Sequence, residues 1–173
     1  MKSKTIIVLL LTALVNLSCD HGLAPPPQVI IEQGIKGKIF YKGTFPSDIT
    51  AHKLIASKIY RKFHDMNDVI NLILTTDSIA VYPSELPFTQ IDSIEYRFVL
   101  QPYLYKYIAI AQARGDITSP YNWKIVGVYD LDTTTAEPTS VNILSGEFRD
   151  SINIYVDYNH LPPQPFDSTR VAR

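Results

Sequence analysis

The chain has 173 residues, 46% of them hydrophobic, with 16 Lys and Arg against 17 Asp and Glu for a formal net charge of −1. So even a balance argues against nucleic acid as a partner, since that selects clustered Lys and Arg. A single cysteine, Cys19, excludes an internal disulfide, and the length suits one domain with a core of its own.

Lys2 and Lys4 form a positive n-region ahead of an apolar run at residues 6–15, interrupted only by Thr12. That run is too short for a membrane-spanning helix, which needs about 20 residues, and it fits a secretory h-region. Asn16, Leu17 and Ser18 then lead into Cys19. A small residue directly before a lone cysteine at this position resembles a bacterial lipoprotein signal, with Asn16 standing where the lipobox leucine is usual. The resemblance implies a signal peptide at 1–18, cleavage before Cys19 and acylation of its thiol, with palmitate among the expected chains. The implied location is the cell envelope, lipid-anchored at the outer membrane. Asp20 retains such proteins at the inner membrane in some lineages, and plain secretion is the competing reading. Residues 19–28 contain Gly22 and the run Pro25, Pro26, Pro27, which favours an extended, stiff tether.

From residue 29 to 163 the pattern is one domain governed by period-two alternation, the mark of strands. Ile35, Gly37, Ile39 and Tyr41 alternate with Lys36, Lys38, Phe40 and Lys42, and Gly43 and Pro46 end the strand. Lys36, Lys38 and Lys42 are charges of the kind that guard a sheet edge. Residues 54–60 form an apolar run of mixed facing, and 78–82 a short strand stopped by Pro83. Apolar spacing at Met66, Val69, Ile70, Ile73 and Leu74 predicts one short helix near 65–75, with Asp65 or Asn67 as its N-cap. Tyr96, Phe98 and Leu100 alternate again, and residues 103–111 are apolar on both faces except at Lys106, as in a central strand. Residues 123–129 and 141–144 follow as strands. Ile152, Ile154, Val156 and Tyr158 close the series with a clean alternation that buries Ile154. Residues 164–173, after Pro162 and Pro163, read as a flexible tail. Seven to nine short strands with little helix give an all-β fold class, an antiparallel β-sandwich, with a barrel as the alternative.

Three segments carry a resemblance to known folds. Residues 37–46, reading Gly-Lys-Ile-Phe-Tyr-Lys-Gly-Thr-Phe-Pro, resemble the opening strand and turn of the transthyretin-like (Ig-like) sandwiches of bacterial lipoproteins. These are related in shape to carboxypeptidase regulatory domains. Residues 96–102 with 105–111 are similar to the central hairpin of that group, although Tyr103 stands where glycine is usual. Residues 123–129, Trp-Lys-Ile-Val-Gly-Val-Tyr, are similar to a further strand of the same proteins.

No catalytic constellation emerges from the sequence. His52, His64 and His160 are dispersed, without zinc-binding spacing, and no nucleophile elbow or phosphate loop is present. Enzymes on the transthyretin fold that hydrolyse 5-hydroxyisourate carry clustered His and Arg and a C-terminal Tyr-Arg-Gly-Ser. This chain ends in Ser168, Thr169, Arg170, Val171, Ala172, Arg173. The expectation is therefore a protein that is not an enzyme and needs no cofactor, a structural or protein-interaction module of the envelope. The alternative is a module that binds a glycan or another small molecule. Its candidate ligand-binding residues are Tyr103, Tyr105, Tyr107, Tyr121 and Trp123, rings that either stack on a ligand or pack the sheet. A weak Ca²⁺ candidate is the loop with Asp130, Asp132 and Glu137, whose hard oxygens suit that ion. The same loop also reads as a solvated turn lacking EF-hand order.

Overall fold

A computed structural model describes residues 32–60 and 66–164; the expected signal peptide, the whole tether at 19–28 with Cys19, His64 and the expected flexible tail beyond residue 164 lie outside them. Ten strands and one helix follow in chain order: β1 (Gly34–Lys42), β2 (Ile49–Ser57), α1 (Met66–Thr75), β3 (Ile79–Val81), β4 (Ser93–Val99), β5 (Leu104–Tyr105), β6 (Tyr107–Arg114), β7 (Trp123–Val128), β8 (Val141–Asn142), β9 (Phe148–Arg149) and β10 (Ile154–Asp157). A 3₁₀ turn, Pro120–Asn122, precedes β7. The all-β class stands.

The sheet is mixed rather than antiparallel. Eight strands form one curled sheet in the order β3-β2-β6-β7-β10-β1-β4, with β9 also on β1, while β5 and β8 make a separate ribbon. β1 runs parallel to both β9 and β10. Alternation reports which face a residue takes but not the direction of its neighbour, so the parallel pairs left no trace in the pattern. β1 is accordingly an interior strand, with β4 on its other side. Its lysines guard no edge. Lys36 pairs with Asp150 at 3.0 Å, Lys38 with Glu95 at 3.1 Å and Lys42 with Asp157 at 3.4 Å, all across the outer face.

Curling brings the inward residues of β1, β4 and β10 against those of β2, β6 and β7. Ile35, Ile39, Phe98, Leu54, Ile110, Val126 and Ile154 meet in one core, and the β5–β8 ribbon adds Tyr105 and Val141. The close contacts need glycine at Gly34, Gly37 and Gly127. A Cβ on Gly37 would lie 2.3 Å from the Ile152 carbonyl oxygen, where the chain between β9 and β10 crosses β1. A Cβ on Gly127 would lie 2.7 Å from a Val156 methyl, between β7 and β10.

β6 is buried on both faces. Its outward Tyr107, Ala109 and Ala111 join Ile125 in a second apolar cluster, flanked by Ile55, Tyr60 and Trp123. α1 packs against β3 and the 3₁₀ turn. Asn67 falls inside the helix rather than capping it, and Asp65 lies outside the described residues. The apolar run at 103–111 divides at Lys106: Lys106 N–H donates to the Ser57 carbonyl at 2.9 Å, with β5 before it and β6 after. Opposite, β2 begins at Ile49, five residues before the predicted run, because Ile49 to His52 pair with β6.

Candidate functional site

On β1, β2, β6, β7 and β10 the inward row changes character at the same end. On β1 it runs Ile35, Ile39, Tyr41; on β2, Ala56, Leu54, His52; on β6, Ile108, Ile110, Gln112. On β7 it is Val126 and Lys124, and along β10 it is Ile154, Val156 and then Tyr158. Register aligns these polar ends. His52 is the cross-strand partner of Gln112, and Gln112 that of Lys124. Opposed residues of an antiparallel pair share a face with Cβ atoms about 5 Å apart. His52, Gln112 and Lys124 thus form one row leading from the interior to solvent.

The buried part of this polar end is incompletely hydrogen-bonded by protein. His52, fully buried, donates its Nδ1–H to the Pro87 carbonyl at 2.8 Å, which leaves Nε2 as a lone-pair acceptor. Gln112 donates Nε2–H to the Tyr158 hydroxyl at 2.9 Å. His52 Nε2, Gln112 Oε1 and the Tyr41 hydroxyl have no partner among the described residues. Buried polar atoms are nearly always paired, so three of them together mark this end of the core as unusual. Phe45, from the loop between β1 and β2, covers them. Its ring lies 5.9 Å from that of His52 and 5.8 Å from that of Tyr158. Gln90 holds the loop, accepting from Phe45 N–H at 2.7 Å and donating to the Gly43 carbonyl at 3.2 Å.

Directly outside lies a cleft of about 590 Å³ whose walls include Phe45, Gln112, Arg114, Tyr121, Lys124 and Tyr158. Its wall residues carry two cations and no carboxylate. Arg114 Nε lies 3.5 Å from Asp48 Oδ1, whereas Lys124 has no ion pair among the described residues. Burial pushes the His52 imidazole below its ordinary range, against the opposing pull of the Pro87 carbonyl and the Glu85 charge, so the ring is a neutral acceptor. Burial likewise raises Tyr158, opposed by the Gln112 hydrogen bond and the Arg114 charge. The Tyr158 phenol and the imidazole therefore stay uncharged at neutral pH, and the cleft's charge comes from its cations. Such a surface can hold a ligand through hydrogen bonds, ring contacts and positive charge.

The five aromatic residues singled out from the sequence are dispersed. Tyr105 is buried in the main core and donates its hydroxyl to the Gln101 carbonyl at 3.2 Å. Tyr107 is buried in the outer cluster, and Trp123 flanks it with its indole N–H on the Ile117 carbonyl at 2.8 Å. Tyr103 is exposed under the Lys58 ammonium, 4.9 Å from its ring centre. Only Tyr121, 70% exposed, reaches the cleft. In the acidic loop, Asp130 Oδ1 accepts from Asp132 N–H and from both N–H and hydroxyl of Thr139. Asp132 Oδ1 accepts from the N–H and hydroxyl of Thr134. The carboxylates of Asp130 and Asp132 are thus engaged in the loop's own turns, Glu137 joins through its main-chain carbonyl, which accepts from the Thr135 hydroxyl at 2.8 Å, and among the described residues no group of three His, Cys, Asp or Glu is placed to hold a metal. No protein-family model, curated protein or solved structure matched this chain.

Proposed function

We infer that this chain is a non-catalytic lipoprotein of the cell envelope, anchored through Cys19 at the outer membrane, whose β body binds a small molecule or glycan in the cleft at its polar end. The observation that carries the binding reading is the coincidence of an open cleft with three buried, unpartnered polar atoms behind it. Pockets at the mouths of closed sheets are common ligand sites, and a few convergent polar groups set their selectivity. The single core shared by β1, β4 and β10 with β2, β6 and β7 supports reading the body as a curled relative of the transthyretin-like sandwich.

A second reading has its own observation. Among the described residues β4 pairs with β1 alone and has no neighbour on its other side, and Val99 there is exposed. An open edge of this kind accepts an added strand from a partner protein. Amide resonances of the full chain in detergent, titrated with neutral and acidic sugars and with extended peptides, separate the two. Shifts confined to Gln112, Arg114 and Lys124 support the cleft; shifts confined to residues 93–99 support strand addition. A panel that moves neither set refutes both.

A further inference from the structure

The cleft's ligand class follows from three features of its walls, on the reading that the cleft is a binding site. Charge comes first. Arg114 is partly compensated by Asp48, Lys124 is not compensated by any described residue, and no wall residue is acidic. Two wall cations against the one partner Asp48 leave a net positive charge, which one carboxylate answers with the Asp48 pair intact, whereas a dianion such as phosphate would have to break that pair. Hydrogen bonding comes second. Gln112 Oε1, at the cleft wall, is a buried acceptor without a protein partner, and it calls for a ligand that donates an O–H or N–H. Shape comes third. The exposed ring of Tyr121 and the half-buried ring of Phe45 stand on the walls, and such rings stack on the C–H faces of a saturated ring. The volume, about 590 Å³, accommodates one or two sugar rings.

We propose that the cleft binds an acidic sugar, a hydroxylated ring bearing one carboxylate. The carboxylate sits at Lys124 with Arg114 beside it, a ring hydroxyl donates to Gln112 Oε1, and Tyr121 covers one face. Binding forms and breaks no covalent bond.

The test uses the full chain in detergent, titrated separately with glucuronate, glucose and inorganic phosphate while the amides of Gln112, Arg114 and Lys124 are followed. Glucuronate is expected to bind at least about tenfold more tightly than glucose, the ratio one well-placed charge contact provides. Its affinity falls several-fold as salt rises. Lys124→Gln, at an exposed position, removes the preference for glucuronate over glucose. Equal affinity for glucose and glucuronate, an unaltered glucuronate affinity in Lys124→Gln, or binding of phosphate alone overturns the acidic-sugar assignment and leaves the cleft a binding site. If none of the three probes shifts the cleft at tens of millimolar, the binding reading itself falls along with the assignment.

Discussion

His52 is neutral in the folded chain because its ring is buried and its Nδ1–H is committed to the Pro87 carbonyl. The unfolded chain takes up a proton there first as pH falls below about 6.5. Stability from this residue is therefore present above that pH and declines from about 6.5 downward toward the lowered folded value. Melting temperatures at pH 7 and pH 5 should differ in the wild type, and His52→Gln should narrow the difference. Asp116, Asp132, Asp150 and Asp157 do not confuse this window. Hydrogen bonds hold their carboxyls low, so their contribution is lost only as pH falls below about 4. Tyr41 offers a second test. Removing a buried hydroxyl that lacks a protein partner, as in Tyr41→Phe, should be neutral or stabilising within about 1 kcal/mol; a larger loss in urea denaturation would show the hydroxyl well bonded. The polar residues were visible in the sequence, each at the end of an apolar alternation, but as isolated events. Only the pairing of β2 with β6 and of β6 with β7 turns His52, Gln112 and Lys124 into a row. Aromatic content pointed instead to Tyr105 and Tyr107, since alternation cannot tell a ring that fills a core from one that lines a site.

Individual elements were the more legible part. The helix, the first strand and the final alternation ending at Tyr158 fall where their spacing predicts, because each presents enough consecutive residues for its period to show. Two-residue strands have no period. β8 lies inside the longer run at 141–144, and β9, two residues long, carries no pattern of its own. The close approach at Gly37 gives a sharp expectation. A methyl group there meets backbone rather than a flexible side chain, so Gly37→Ala should cost about 1–3 kcal/mol, read as a lowered urea midpoint. A gentler device operates on β7. Gln164 uses its side-chain amide as a peptide group would, accepting from Ile125 N–H and donating to the Ile125 carbonyl, both at 2.9 Å. This occupies β7 beyond the stretch paired with β10, where register stops at Gly127. Gln164→Ala should lower stability by about 1 kcal/mol and speed hydrogen exchange at the Ile125 amide, with exchange elsewhere in β7 little changed.

At the scale of the whole molecule, strand direction and order were hidden, because they depend on neighbours far apart in sequence. The burial of Ile154 is compatible with a sandwich, a barrel or the curled mixed sheet; only the pairing chooses. The proposed anchor rests on Cys19. Cys19→Ala should abolish incorporation of labelled palmitate and move the protein from the membrane to the soluble fraction; unchanged fractionation contradicts the anchor. β1 carries a further consequence. Ile39 lies beside Ile154, and Gly34 beside Phe148. The opening strand therefore cannot acquire its full set of neighbours until nearly all of the chain has been synthesised. Long loops must close before such contacts form, which slows folding. A polypeptide arranged this way completes its sheet late in synthesis, and truncating it before Phe148 would leave β1 with β4 but without either parallel neighbour.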